Sequence, residues 1–227
     1  MSEPLDRPVW NALTTRQASL AIESGAAVRI DPAYGPFAAA RDTSEEAQAA
    51  LAATLDGPHD RIGVVEREAW PVPPGTRILG GGDLMQMVFE GSAPDAPDDP
   101  RIELLKESDA TDMAALAYAT EPGPWGSATH RYGDYYGIRI DGRLASMAGE
   151  RMKLPGLAEL SGVSTWPEFR GRGLAAALVR RVVRGFLERG DRPFLHCYAA
   201  NVGAIHLYEA LGFRSRARLT LTILALA

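Results

Sequence analysis

The stretch Val163-Ser-Thr-Trp-Pro-Glu-Phe-Arg-Gly-Arg-Gly-Leu-Ala175 decides the fold. Leu157 to Thr165 reads as a strand ending near Trp166-Pro167. From Leu174 to about Leu187 the apolar positions Leu174, Leu178, Val182 and Phe186 recur at helical spacing. Between strand and helix lies a tight turn carrying Gly171 and Gly173, residues that let a backbone approach a ligand closely. The first amides of a helix lack intrahelical partners, and the helix dipole favours negative charge there. Arg170 and Arg172 add cations. The reading is a pyrophosphate cradle, although an ordinary strand–helix connection has the same outline. Two other phosphate motifs are excluded. No Gly-x-x-x-x-Gly-Lys-Ser/Thr occurs, and Gly171-Arg-Gly-Leu-Ala175 lacks the third glycine of a dinucleotide fingerprint.

Downstream, Phe194 to Tyr198 is a short strand, and Asn201 starts a second helix. That helix is closed by Leu211-Gly212-Phe213, with Gly212 as a left-handed C-terminal residue. Asn201, Ala204, Ile205 and Tyr208 share one of its faces. Leu219 to Leu224 reads as a last strand. Upstream, Arg101 to Lys106 is a strand, and Ser108 or Asp109 can cap a helix through Ala119. The prolines and glycines of Glu121 to Ser127 make a loop. Asp141-Gly142 between Tyr135–Ile140 and Arg143–Lys153 is a two-residue hairpin signal. These elements predict a mixed α/β (α+β) sandwich.

Together, Arg170-x-x-Gly173-x-Ala175 and Asn201-x-x-Ala204-x-x-Leu207-Tyr208-x-x-Leu211-Gly212-Phe213 resemble the GNAT superfamily of acyl-CoA-dependent N-acyltransferases, over about residues 101–221. The resemblance implies a GNAT-type mixed central sheet flanked by helices, with acetyl-CoA as co-substrate and no metal. It implies that the amides of Gly171, Arg172, Gly173, Leu174, Ala175 and Ala176 bind the coenzyme A diphosphate. It implies main-chain pairing of Val163, Ser164 and Thr165 with the pantetheine arm, help from the Asn201 side chain, and Tyr208 as the acid that protonates the departing thiolate. Ala175 stands where many relatives have glycine, a common variant.

An amine attacks a thioester only when neutral, so some group must take its proton. Glu159 is placed like the glutamate base of the histone-acetylating branch, and a solvated strand charge is the competing reading. Glu150 is the rival base. A carboxylate buried near an apolar pocket would have a raised pKa, which suits a base. Trp125, Tyr132 and Tyr135 could line the acceptor pocket or simply pack. His130, His196 and His206 are weaker candidates for proton relay, and Cys197 for an acyl-carrying nucleophile.

Gly91 to Pro100 holds three prolines and three aspartates and reads as a linker. It separates an N-terminal α/β subdomain (1–90) from an acetyltransferase domain (101–227). In the first part, Thr43 and Glu46 have the form of a capping box opening a helix to about Leu55. Arg61–Glu66 and Asp83–Glu90 read as strands. The layout also looks like the glycine N-acyltransferase-like branch, whose N-terminal region is a degenerate copy of the same fold.

The 227 residues can bury a core without disulfides or metal, and the single Cys197 excludes an internal disulfide. The net charge of -5 divides into -9 for residues 1–100 and +4 for residues 101–227. The basic half suits a phosphorylated small molecule, whereas no dense basic run interleaved with aromatics invites nucleic acid. No apolar run approaches the roughly 20 residues of a membrane helix, and the start lacks the pattern of a signal peptide. A cytoplasmic protein is expected, provided nothing has been trimmed. The expected activity is acetylation of a small-molecule or amino-acid-like amine. A non-catalytic acyl-CoA sensor and a protein lysine or N-terminal acetyltransferase are the alternatives. No motif speaks to the oligomeric state.

Overall fold

Asp141 and Gly142 both take positive φ, 50° and 80°. That twist suits a two-residue hairpin, and the turn joins β7 (Tyr135–Ile140) to β8 (Arg143–Leu154). β9 (Leu157–Thr165) returns antiparallel to β8. The computed structural model describes residues 3–94 and 98–227. Part of the expected linker, residues 95–97, lies outside the described residues.

The meander belongs to an eight-stranded sheet. Its other strands are β4 (Ile62–Glu66), β5 (Thr76–Phe89), β6 (Ile102–Leu104), β10 (Arg192–Tyr198) and β11 (Phe213–Leu226). The order is β4-β11-β5-β10-β9-β8-β7-β6, antiparallel except between β9 and β10. This differs from a separation at 91–100. β5, from the N-terminal part, lies between β10 and β11, and β4 closes the edge beyond β11. Hydrogen bonding of β11 along nearly all of β5 makes one sheet of both parts.

A second sheet comprises β1 (Ala21–Ser24), β2 (Ala27–Ile30) and β3 (Ala38–Ala40), which the sequence reading does not find. Alanine is a poor strand former and shows no alternation here; burial against α2 (Glu45–Ala52) and β4 supplies the drive. Ser44, one residue after the expected cap, accepts from the Ala47 N–H at 3.3 Å, and the helix ends at Ala52 rather than Leu55.

The side chains of Tyr135 and Tyr136 alternate across the large sheet into different cores. One face carries α1 (Pro8–Leu13) and α3 (Ala110–Thr120). The other carries α4 (Leu174–Glu188), whose predicted stripe Leu174, Leu178, Val182 and Phe186 is buried. Beside it lies α5 (Val202–Ala210). Asn201 caps α5, accepting from the Ala204 N–H at 3.1 Å, and Gly212 beyond it has φ 94°.

Two bulges shape β8 and β9. Gly149 opposes Ser161 and Met147 opposes Ser164, so β9 has one extra residue there, with Gly162 at φ 63°. Further along, Glu150 opposes Leu160 and Lys153 opposes Ala158, which leaves Arg151 and Met152 facing Glu159 alone. Bulges of this kind re-aim side chains, and both border the site described next.

Candidate active site

β9 and β10 pair only between Leu157–Glu159 and Arg192–Phe194. Beyond that point they diverge, so the β10-facing edge of β9 from Leu160 to Thr165 has no strand partner among the described residues. The gap is a cleft of about 570 Å³. Thr165, Arg170, Ala175 and Asn201 line it beside the α4 N-terminus; Phe37, Arg151 and Leu221 line it where the N-terminal segment packs against the sheet.

At the α4 N-terminus, Gly171 and Gly173 both have φ 75°. A Cβ built on either would meet nothing within 4 Å, so glycine is required there by its left-handed backbone rather than by crowding. The N–H groups of residues 171 to 176 have no acceptor among the described residues; the first to find one is Ala177, bonded to the Gly173 carbonyl at 3.1 Å. Gly173, at the N-cap, offers no side-chain cap. A row of outward donors on a positive helix end is a site for an anion. Arg170 and Arg172 flank it, their guanidinium groups donating to the Thr165 and Glu168 carbonyls at 3.3 Å each. The Leu174 side chain turns away into the core, so that residue contributes only its backbone.

Val163, Ser164 and Thr165 lie on the free edge of β9, and the Ser164 Oγ is buried without a partner among the described residues. Across the cleft, Tyr208 packs edge-on against Phe213 with centroids 5.9 Å apart. Burial, with a small contribution from Cys197, pushes its phenol above the ordinary value, so it stays protonated at neutral pH. Cys197 lines the same cleft, and burial raises its thiol to about 11, leaving little thiolate. Asn201 also reaches the cleft, with its Oδ1 engaged in the cap.

The two expected bases are placed differently. Glu159 is fully buried. Its Oε1 accepts from Arg151 Nη2 at 2.6 Å and His196 Nδ1 at 2.7 Å; its Oε2 accepts from Arg151 Nε at 2.8 Å and the Met152 N–H at 3.2 Å. Each oxygen thus has two donors, and none is left for an amine. Burial alone would raise its pKa as the sequence reading expects. The Arg151 charge and hydrogen bonds, with that of His196, outweigh burial and hold it at about 2. Glu150 is buried in ion pairs with Arg189 at 2.5 Å and Lys153 at 2.9 Å, and it does not line the cleft.

A carboxyl held at about 2 in the fold and near 4.3 when unfolded contributes about 3 kcal/mol to stability at neutral pH. With the folded pKa depressed, that stability is present above the unfolded value and lost as pH falls towards 2. Urea unfolding should show the wild type weakening steeply between about pH 5 and 2.5, and Glu159→Gln with a flatter profile. Parallel profiles would refute the depressed pKa.

The expected acceptor aromatics lie outside the cleft. Tyr132 is buried in the core around α1, edge-on to Tyr34 at 5.1 Å, because the segment before β7 is drawn inward. Trp125 is edge-on to Tyr135 at 5.6 Å and borders a second cavity of about 440 Å³, which shares Phe37, Pro124 and Leu221 with the cleft. His130 is tied to Glu107 and His206 is exposed, whereas His196 lines the cleft between Glu159 and Gln86.

Glu121 was not singled out from the sequence. Among the described residues it is the only carboxylate lining the cleft. At the C-cap of α3 it has φ 47°, ψ 54°, which is uncommon for a residue with a side chain and is found where surroundings hold a strained backbone. The available signal was its place before Pro122, which disfavours continuing the helix.

A family model described as FR47-like protein matches residues 135–221. A solved structure from Novosphingobium aromaticivorans, of a protein assigned to the GNAT family of acetyltransferases, is 56% identical, covers 100% of both chains and superposes with a TM-score of 0.94. A GCN5-related N-acetyltransferase from Kribbella flavida is 20% identical over 96% of this chain and 95% of its own, with a TM-score of 0.61. A GCN5-related N-acetyltransferase-like protein from Streptococcus suis is 16% identical over 96% and 92%, also with a TM-score of 0.61. These last two share the fold. No curated protein matches the chain.

Proposed function

Because the chain belongs to the GNAT family of acetyltransferases, we propose that it transfers acetyl from acetyl-CoA to the primary amine of a small, amino-acid-like acceptor by direct attack. The observation that carries the reading is the set of unpaired N–H groups at residues 171 to 176, opening onto the same cleft as Tyr208. The narrower likeness to the glycine N-acyltransferase-like branch rests on sequence layout alone.

Acetyl-CoA supplies the acyl group in a form activated as a thioester. The 171–176 amides, with Arg170 and Arg172, would hold its diphosphate. The free edge of β9 at Val163 to Thr165 would take the amides of its pantetheine arm as an added strand. Asn201 would meet the same arm from the start of α5. Tyr208, protonated and facing the cleft, would donate to the leaving sulfur. Glu159 and Glu150 have their oxygens committed to other groups, so the proton lost by the amine is assigned to Glu121, directly or through water. A Cys197 thiol held near 11 supports direct transfer over an acyl-enzyme route.

Coenzyme A at 100 times its dissociation constant should stabilise the protein by about 2.7 kcal/mol, and amines should release free thiol from acetyl-CoA. Stabilisation without thiol release across small amines and peptides would instead favour a sensor. Release with peptides alone would move the acceptor to proteins.

A further inference from the structure

We propose that Arg151 recognises a carboxylate on the acceptor, so that the molecule acetylated is an amino acid or a related amine carrying a carboxylate. This rests on the acetyltransferase reading above and names its substrate class.

A guanidinium has five N–H donors. In Arg151, Nε and one hydrogen of Nη2 are engaged by Glu159, while Nη1 has no hydrogen-bond partner among the described residues and keeps its access to the cleft. The residue is only 9% exposed, and what is exposed lines the cleft. Three of the five donors are thus left without a protein acceptor on the side that faces the cleft. The free edge, Nη1 with the second hydrogen of Nη2, is the fork that matches the two oxygens of a carboxylate. The Phe37 ring lies 5.0 Å from the guanidinium carbon and fixes its plane. At Gly123, a Cβ would lie 3.6 Å from Nη1, so glycine there keeps the approach open.

The cation is held in place on the side away from the cleft. The bulge that places Arg151 and Met152 opposite Glu159 aims the side chain, and Glu159 is itself fixed by His196. His196 Nε2 meets Gln86, which is tied in turn to Arg216 and the Leu5 carbonyl. On the backbone, Gln17 donates to the Arg151 carbonyl at 2.8 Å and accepts from the Lys153 N–H at 3.0 Å, in place of a strand partner. The N-terminal segment thus builds this part of the cleft.

Charge balance favours a compact monoanion. Glu159 neutralises Arg151, so the empty cleft holds no net buried charge from the pair, and the nearby negative charge disfavours a phosphate dianion. Glu121 is the remaining carboxylate facing the same space, suited to the acceptor's ammonium before it loses its proton. An amino acid presents both charges. Arg170, the other arginine in the lining, belongs to the cradle through Thr165.

Thiol release should be measured for each common amino acid against its own carboxamide. The wild type should prefer the acid by at least about 100-fold in kcat/KM, as expected when a site built for a polar group meets an analogue lacking it. Arg151→Gln with Glu159→Gln removes both charges and keeps a polar pair, the first change shortening the side chain by two heavy atoms. This pair should reduce the preference to less than about threefold, with KM for acetyl-CoA unchanged, and coenzyme A stabilisation reports that it folds. Carboxamides used as well as acids by the wild type, or a preference surviving in the double variant, would overturn the proposal while leaving the acetyltransferase reading intact. No release with any member of either set, coenzyme A still binding, would overturn the proposal, and no release with other small amines or peptides either would overturn the acetyltransferase reading as well.

Discussion

Ala175→Glu is expected to remove coenzyme A binding without weakening the fold. Ala175 is the second residue of α4, half-buried and lining the cleft. A glutamate at this position completes the helix dipole, an effect of about 0.3–1 kcal/mol in favour of the helix. The same carboxylate lies among the 171–176 amides and competes for them with the diphosphate, which it also repels. The expected result is an unchanged or slightly raised melting temperature together with a loss of at least about 100-fold in coenzyme A affinity, or roughly 2.7 kcal/mol. Calorimetric titration with coenzyme A reads both quantities when paired with a thermal melt. Affinity retained within threefold would move the diphosphate away from this helix.

Tyr208→Phe should have the second largest effect, and on turnover alone. The hydroxyl makes no hydrogen bond within the described residues, and only burial and Cys197 perturb it. Its removal therefore leaves no protein group unsatisfied, and stability should change little. The ring's packing on Phe213 is preserved. A positioned general acid contributes about 10²- to 10⁴-fold, so kcat should fall by at least about 100-fold where chemistry limits the rate, with coenzyme A affinity within threefold. Single-turnover measurements isolate that step. Equal rates would remove Tyr208 from the chemistry.

The elements that carry this site are written in local sequence. β9 ends where Trp166-Pro167 stops a strand, α4 starts at Leu174 after two left-handed glycines, and Asn201 caps α5. Each depends on a conformational preference within a few residues. The shared sheet is different in kind. That β5 lies between β10 and β11 follows from pairing between residues over 100 positions apart, and a proline-rich connection says nothing about it. β2 and β3 carry no alternating signal because every position in them is buried, and the four residues of β1 are too few to show one. Glu159 shows the limit most plainly. Its place on a strand before the cradle is legible, but its role depends on Arg151 eight residues back and His196 on another strand, which together turn a base candidate into an anchor. Glu121 lies in a loop whose local signal was only irregularity, and its approach to the cleft is tertiary.

On the reading proposed above, the unpaired backbone donors at the start of α4 hold the diphosphate of acetyl-CoA. The most direct measurement is a titration of the ¹⁵N-labelled protein with coenzyme A, following the amide resonances of residues 171 to 176. Saturable downfield proton shifts are expected at these amides, larger than elsewhere on α4, and lost in Ala175→Glu. Binding that leaves these amides unmoved, or no binding at millimolar ligand, would contradict it.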